Sequence, residues 1–448
     1  MENSDRKKFE LVSARNLLLI IALILSELVY LWFYAGTPSR IERYFWISVI
    51  TSVMYLIIVI LLRRDTGLQS RYLFYVLLFF GILYRITLLP VPPTASDDIY
   101  RYIWDGKVQL NGISPYRYAP SDSHLNHLHS DMLPAKMNYK NMKSIYPPVA
   151  QYVFRLNYIL FGESIYGFKI IMFFFDMLLI ASLVLLLKSL GRPISHAAYY
   201  FLAPLPAMQF MADGHLDIIG ISLLMLSLSL LFRSKQLSSN TPAKIAGYIV
   251  LGLSVASKLI SGMIFPFLID KRKIIRSSIL LLLPTAAFAL TYIPYIEPGV
   301  NPFESLKNFA SNWAFNGSVF YILVKILQNN QYARLVCMLL FMVVTVVLFL
   351  RSNMNTLDKT VIIFFIFLLL SPTVHPWYVC WFAALFPLYF SYSGLTFICT
   401  ANLANHVVID YQLRGTWHQN EWLLLLEYLP VYAVMAIEMW RNKTKNPG

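Results

Sequence analysis

The sequence predicts an all-α polytopic membrane protein. Hydrophobic residues make up 58% of the 448 residues and charged residues only 13%, whereas a soluble domain usually carries about 25% charged residues. Apolar runs of membrane-spanning length recur along most of the chain. We therefore expect about 12–13 transmembrane helices and one large first extracytoplasmic loop that carries amphipathic helices.

The first apolar run, residues 16–35, is long enough to span a bilayer and lacks the small-residue cleavage site of a signal peptide. We interpret it as a retained span and treat residues 1–448 as a single membrane domain. The other predicted spans are residues 45–62, 72–90, 166–187, 197–211, 217–232, 277–296, 333–350, 359–374, 377–392, 395–410 and 422–440.

Basic residues predict the orientation of the chain in the membrane. The N-terminus (Lys7, Lys8), the 63–71 loop and the tail beyond residue 440 are all basic, so the positive-inside rule places them in the cytoplasm. The 91–164 loop then lies on the extracytoplasmic side. Because the net charge of +14 is explained by topology, we expect no nucleic-acid partner.

A pair of adjacent carboxylates opens this loop. Asp97 and Asp98 follow an apolar segment, and the spacing predicts a helix over residues 98–110. At 100° per residue, Asp98, Asp105 and Gln109 share one arc of that helix. A paired acid at the mouth of a membrane domain indicates general acid–base chemistry, although charges in a first helical turn are also stabilised by the helix dipole.

Other features of the chain give little sign of metal or redox chemistry. His124, His127 and His129 do not share a helical face, so we interpret them as part of a solvated loop rather than a metal site. The three cysteines lie in apolar segments and form no CxxC motif. We expect no cofactor. The apolar run to Phe161 contains Arg155, which favours an interfacial or re-entrant segment over a span.

Residues 245–270 form one apolar run with Lys258 at its centre, and both flanks carry cytoplasmic-type basic residues. A single span cannot have both ends in the cytoplasm, so we expect two half-helices that meet near Ser257-Lys258. A lysine inside an apolar run is costly unless it is paired or functional. Lys258 is therefore a candidate for phosphate binding or an ion pair, and a snorkelling side chain is the alternative.

Several motifs together indicate a family. They are DIY (98–100), WDG (104–106), GISPYRYAP (112–120), YPP (146–148), GHLD (214–217), SKL (257–259) and HPWY (375–378). The chain resembles GT-C glycosyltransferases, and within them the polyprenyl-phosphate-mannose-dependent mannosyltransferases. The usual acidic signature of these enzymes is Asp-x-Asp, whereas this chain has the adjacent pair Asp97-Asp98.

The resemblance implies a GT-C type fold in a bacterial inner membrane. It implies inverting transfer of a hexose, with mannose expected, from a polyprenyl-phosphate donor to a glycan or glycolipid acceptor. A carboxylate would act as general base. Adjacent helix residues point about 100° apart, so either Asp98, our first choice, or Asp97 fills that role.

Candidate substrate-binding residues combine cations for the phosphate, aromatic rings for sugar faces and polar groups near the outer face. They are Arg101, Tyr102, Asp105, Tyr116, Arg117, His215, Asp217, Lys258, His375, Trp377 and Tyr378. Membrane-interface anchoring is the alternative for each aromatic residue. His215 and Asp217 either bind acceptor sugar or cap the next helix. A secondary transporter, or a lipid-linked sugar flippase or ligase, is the competing class.

Overall fold

The computed structural model describes residues 2–63, 71–236 and 241–445. In chain order its α-helices are α1 (Glu2–Leu31), α2 (Arg40–Arg63), α3 (Arg71–Leu88), α4 (Asp98–Leu110), α5 (Pro148–Phe161), α6 (Ile165–Ser189), α7 (Ala198–Phe201), α8 (Pro204–Ala207), α9 (Asp217–Gln236), α10 (Thr241–Val255), α11 (Phe265–Leu268), α12 (Ile274–Leu280), α13 (Leu282–Thr291), α14 (Glu304–Asn312), α15 (Val319–Leu327), α16 (Asn330–Leu350), α17 (Thr356–Leu370), α18 (Pro376–Leu385), α19 (Tyr392–Thr400), α20 (His406–Arg414) and α21 (Glu421–Lys445). Residues 64–70 of the predicted cytoplasmic loop, and residues 237–240 before α10, lie outside this description.

The described residues form an all-helical membrane protein, as predicted. Six segments are long and apolar enough to cross a membrane: Ala14–Tyr34, Arg40–Arg63, Ile165–Ser189, Lys271–Tyr295, Asn330–Leu350 and Glu421–Asn442. Four shorter apolar helices are Tyr72–Leu88, Pro242–Val255, Leu259–Leu268 and Pro376–Leu388. Within the described residues there is no β-strand, and only isolated bridges link Phe315 and Asn316 to Thr373.

The expected span at 197–211 is not one continuous helix. The segment divides into α7, α8 and a π-helix, Met208–Ala212. Pro204 and Pro206 lack the backbone N–H that a continuous helix needs, so they separate the short pieces. All residues of this segment are buried, and it therefore lies inside the helical assembly.

The break expected near Ser257-Lys258 is confirmed. The helix α10 ends at Val255, and a 3-10 helix, Leu259–Ile264, leads into α11. Lys258 itself has extended backbone angles, φ −159° and ψ 127°. The interruption places the Lys258 side chain at the junction of two short helices.

The helix predicted at residues 98–110 is α4, with the same bounds. Its surroundings differ from those of a membrane-surface helix, because Ile99 and Ile103 on one side and Asp105 and Gln109 on another are all buried. The neighbouring α5 approaches so closely that a Cβ at Gly106 would lie 2.2 Å from a backbone oxygen. The helix thus packs against other parts of the protein, with Gln109 bonded to Gln151 of α5 and Ile99 against the turn at Gly214.

Candidate active site

The acidic pair lies where the chain enters α4. The backbone N–H of Asp98 donates to Ser96 Oγ at 3.2 Å. Asp97 occupies the N-cap position without a side-chain capping bond, and its Oδ1 instead accepts a hydrogen bond from Asn138 Nδ2 at 2.6 Å. The serine therefore meets the need for a cap, and the carboxylate of Asp97 is directed towards the 138 segment.

Two residues that the sequence analysis did not select hold the chain just before this pair. Asp213 Oδ1 accepts from the backbone N–H groups of Thr94 at 2.7 Å and Ala95 at 2.9 Å. Lys169, on α6, donates to the backbone carbonyl of Val91. Lys169 could have been selected from the sequence, because it lies inside a predicted span, where a lysine is costly unless it has a partner or a role.

Asp98 lies in a partly enclosed position. The hydroxyl of Tyr102 donates to its Oδ2 at 3.4 Å, and His215 Nδ1 lies 3.9 Å from the same oxygen. The Asp98 side chain is 35% exposed, whereas that of His215 is 1% exposed. Gly214, with φ +75°, lets its turn approach α4, where a Cβ would lie 2.6 Å from Ile99. The glycine thus brings the histidine to the carboxylate.

A second carboxylate, Asp217, is paired with the lysine of the broken segment. Lys258 Nζ lies 2.5 Å from Asp217 Oδ1, and the same oxygen accepts from Trp381 Nε1 at 2.7 Å. Lys258 Nζ also lies 4.1 Å from the ring centre of Tyr378, and its side chain stays 28% exposed. The ion pair expected for Lys258 is therefore confirmed, and its side chain stays partly exposed.

Four aromatic rings form a continuous stack that ends beside Asp98. Phe315 stacks on His375 at 4.6 Å between ring centres, His375 on Trp377 at 4.2 Å, and Trp377 on His215 at 3.8 Å. Neither ring nitrogen of His215 has a hydrogen-bond partner among the described residues. A buried polar group without a partner is costly, so His215 is available for a ligand at this position.

Burial shifts the titration of this cluster. It raises the pKa of Asp98 to about 7, with a further increase from the charge of Asp97 and a decrease from Lys258. Burial likewise raises the pKa of Asp97 to about 6. Burial and then Lys258 lower the pKa of His375 to about 3, and the pKa of His215 also falls well below its ordinary value. Both histidines are therefore neutral near pH 7 and supply no positive charge.

Two predicted binding residues belong to a neighbouring network. Arg101 Nε pairs with Asp105 Oδ1 at 2.8 Å. The other carboxylate oxygen of Asp105 accepts from Ser144 Oγ at 2.5 Å and Gln151 Nε2 at 3.0 Å. This network joins α4 to α5 and to the 144 segment, so its evident contribution is to hold the helix that carries Asp98. Substrate contact by either residue stays a prediction.

The other two predicted binding residues of this loop, Tyr116 and Arg117, make no contact with the acidic pair among the described residues. The Tyr116 hydroxyl donates to the backbone carbonyl of Tyr146 at 2.6 Å. Arg117 Nε pairs with Glu297 at 3.0 Å and borders a cavity of about 280 Å³ together with His124. Within the described ranges, no three His, Cys, Asp or Glu side chains form a group that could hold a metal ion.

Two family models match the chain. A model described as alpha-(1→6)-mannopyranosyltransferase, N-terminal domain, of the MptA/B family, matches residues 27–270, which is more than half of the sequence. The chain belongs to this family. A second model, described as the MptB C-terminal domain, matches residues 323–437. The first match includes the acidic pair and Lys258, and the second includes His375 and Trp377.

Two solved structures of ArnT from Cupriavidus metallidurans are similar to the chain. The structure bound to undecaprenyl phosphate is 12% identical with a TM-score of 0.46, over 82% of this chain and 71% of that chain. The apo structure is 15% identical with a TM-score of 0.44, over 84% and 73%. No curated protein matches the chain.

Membership of the MptA/B family confirms the resemblance to membrane mannosyltransferases drawn from the loop motifs. The protein is a membrane glycosyltransferase. The family therefore favours a hexosyltransferase over the transporter and flippase alternatives.

Proposed function

We propose that the protein transfers a mannosyl group from a polyprenyl-phosphate donor to a hydroxyl of a glycan or glycolipid acceptor, with inversion at the anomeric carbon. The acceptor oxygen bonds to that carbon while the bond to the phosphate oxygen breaks. The acceptor proton passes to a carboxylate, and polyprenyl phosphate leaves. We infer the polyprenyl-phosphate donor and mannose as the transferred sugar from the resemblance described above and from the family to which the chain belongs.

Asp98 is the general base in this proposal. The observation that carries the proposal is a partly exposed carboxylate within electrostatic reach of a partly exposed lysine, with the Asp98 side chain 35% and the Lys258 side chain 28% exposed. A general base works best when its pKa lies near the operating pH, and burial raises the pKa of Asp98 to about 7. Asp97 is the weaker candidate because its carboxylate is engaged by Asn138.

Lys258 stabilises the leaving phosphate. Charge accumulates on the phosphate oxygens as the glycosidic bond breaks, and a fixed ammonium in a partly dehydrated site counters that charge. Asp217 and the Tyr378 ring hold Lys258 in place. The lipid tail of the donor would lie among the apolar helices near the outer face of a bacterial inner membrane, with the N-terminus in the cytoplasm.

In this proposal the uncharged rings of the stack contact the sugar of the donor or acceptor rather than the phosphate. Trp377 stacks on His215, whose Nδ1 lies 3.9 Å from Asp98 Oδ2, so these uncharged rings would form a wall of the sugar site. Because both ring nitrogens of His215 lack partners among the described residues, the imidazole can exchange hydrogen bonds with a sugar hydroxyl. Burial and then Lys258 lower the pKa of His375 to about 3, so in this proposal His375 is a weaker candidate than Lys258 for a cation beside the phosphate.

The test uses purified full-length protein, radiolabelled polyprenyl-phosphate mannose and a crude lipid extract as acceptor. Asp98→Asn should lower transfer by about 10²–10⁴-fold, the usual contribution of a general base, without changing yield or thermal unfolding. Full transfer by Asp98→Asn would remove Asp98 from the base role. If the wild type transfers from a different lipid-linked sugar and not from this donor, the mannose assignment fails.

A further inference from the structure

A second cleft lies beyond the acidic pair, and its lining is aromatic and uncharged. The cavity has a volume of about 270 Å³ and is lined by Tyr139, Asn312, Trp313, Ala314, Phe315 and Trp417. Small-ligand pockets usually measure about 300–1,000 Å³, so this cleft has room for a small part of a ligand. None of its lining residues was selected from the sequence.

Two lining residues of the cleft connect it to the residues of the candidate active site. Asn138, which donates to Asp97, directly precedes Tyr139 in the chain. Burial and then the charges of Asp97 and Asp98 raise the pKa of the Tyr139 hydroxyl to about 12, so this hydroxyl lies within electrostatic reach of both carboxylates. Phe315, which also lines the cleft, is the outer ring of the stack that ends at His215.

The aromatic walls are held by backbone hydrogen bonds. The Phe315 N–H donates to the Pro372 carbonyl at 3.0 Å, and the Val374 N–H donates to the Phe315 carbonyl at 2.8 Å. The Trp313 carbonyl accepts from Thr373 Oγ1 at 3.0 Å. These bonds fix the backbone that carries the two rings before any ligand arrives, which lowers the entropy lost on binding.

Tyr139 and Trp417 keep large accessible faces. Both residues are 55% exposed. Tyr139 also adopts a left-handed backbone conformation with φ 49°. A bulky residue with positive φ is uncommon and tends to occur where function requires a defined position. Trp417 contacts Phe315 with ring centres 5.6 Å apart, so it extends the aromatic surface outward.

We propose that this cleft binds an uncharged sugar unit of the acceptor, next to the unit whose hydroxyl is deprotonated at Asp98. This inference rests on the proposed function. Exposed aromatic faces with one amide side chain, Asn312, suit the apolar faces and hydroxyl groups of a neutral saccharide. The absence of lining charge within this cleft disfavours a phosphate, which would need cations.

The test measures binding rather than transfer, so it does not depend on the donor. Isothermal titration calorimetry would follow α-(1→6)-linked mannotriose and free mannose binding to the full-length protein. Trp417→Ala should weaken mannotriose binding about tenfold, the loss expected for one aromatic stacking contact, and Trp417→Phe should restore most of it. Trp422→Ala is the matched control, because Trp422 is 76% exposed and lies outside the cleft.

Mannotriose binding tests the sugar subsite, whereas mannosyl transfer tests the proposed function, so the two proposals can fail separately. Asp98→Asn should still bind mannotriose more tightly than mannose, even where its transfer is lost. Any of three results would overturn the proposed sugar subsite. They are no binding of mannotriose by the wild type, equal affinity for mannose and mannotriose, and equal loss of mannotriose affinity in Trp417→Ala and Trp422→Ala. A transfer assay in which Trp417→Ala raises KM for the lipid donor instead of the acceptor would assign the cleft to the lipid.

Discussion

The two carboxylates can be assigned separate roles by removing the charge of Asp97. In Asp97→Asn the side-chain oxygen can still accept the hydrogen bond from Asn138, so the change is mainly electrostatic. The charge of Asp97 is the second cause, after burial, of the raised pKa of Asp98. Its removal should therefore lower the pKa of Asp98 and leave the general base in place.

The expected shift follows from the structure. Burial and Asp97 raise the pKa of Asp98 from 3.8 to about 7. A neighbouring like charge in a partly solvated site changes a carboxyl pKa by about one unit, or about 1.4 kcal/mol, and we use this magnitude for the charge of Asp97. A base acts in its ionised form, so activity rises with pH through its pKa. Half-maximal transfer should move from near pH 7 to about pH 6.

The assay is transfer of radiolabelled mannose between pH 5 and pH 9. At pH 6 a base with pKa near 7 is about one-tenth ionised and one with pKa near 6 about half, so Asp97→Asn should be about fivefold faster than the wild type there and equal to it above about pH 8. Asp131→Asn, which removes an exposed charge from the same loop, should leave the profile unchanged. Loss of transfer by Asp97→Asn at every pH would refute the assignment and make Asp97 the base.

Two further predictions address the phosphate and the topology. Lys258→Ala should raise KM for the lipid donor about tenfold or more, through loss of a charge-assisted contact, with little change in acceptor KM. Lys325→Ala, which alters an exposed pair with Glu421, is the control, and an equal effect on both substrates would remove Lys258 from the phosphate site. Ser123→Cys should react with a membrane-impermeant thiol reagent in spheroplasts, because the predicted orientation places its loop outside the cytoplasm. The wild type gives the background from its own cysteines, of which Cys337 and Cys380 are buried and Cys399 is partly exposed. Arg272→Cys should react only after permeabilisation, and the reverse pattern would contradict the predicted orientation.

The structure also explains which sequence predictions held and which did not. The bounds of α4 and the break at Lys258 follow from local patterns: polar residues at a helix start, an Asn-Gly stop, and a lysine that cannot stay unpaired in an apolar run. The expected span at 197–211 was wrong as one helix because hydropathy counted apolar residues and gave no weight to Pro204 and Pro206.

By itself, the sequence determined the membrane class, the acidic pair and the family resemblance, because hydropathy, composition and local motifs are properties of neighbouring residues. The tertiary structure decided which side chains meet Asp98. It pairs Lys258 with Asp217, joins Asp105 to Gln151, and brings His215 to the carboxylate of Asp98. These contacts depend on how separate helices pack, and a single sequence carries no local record of that packing.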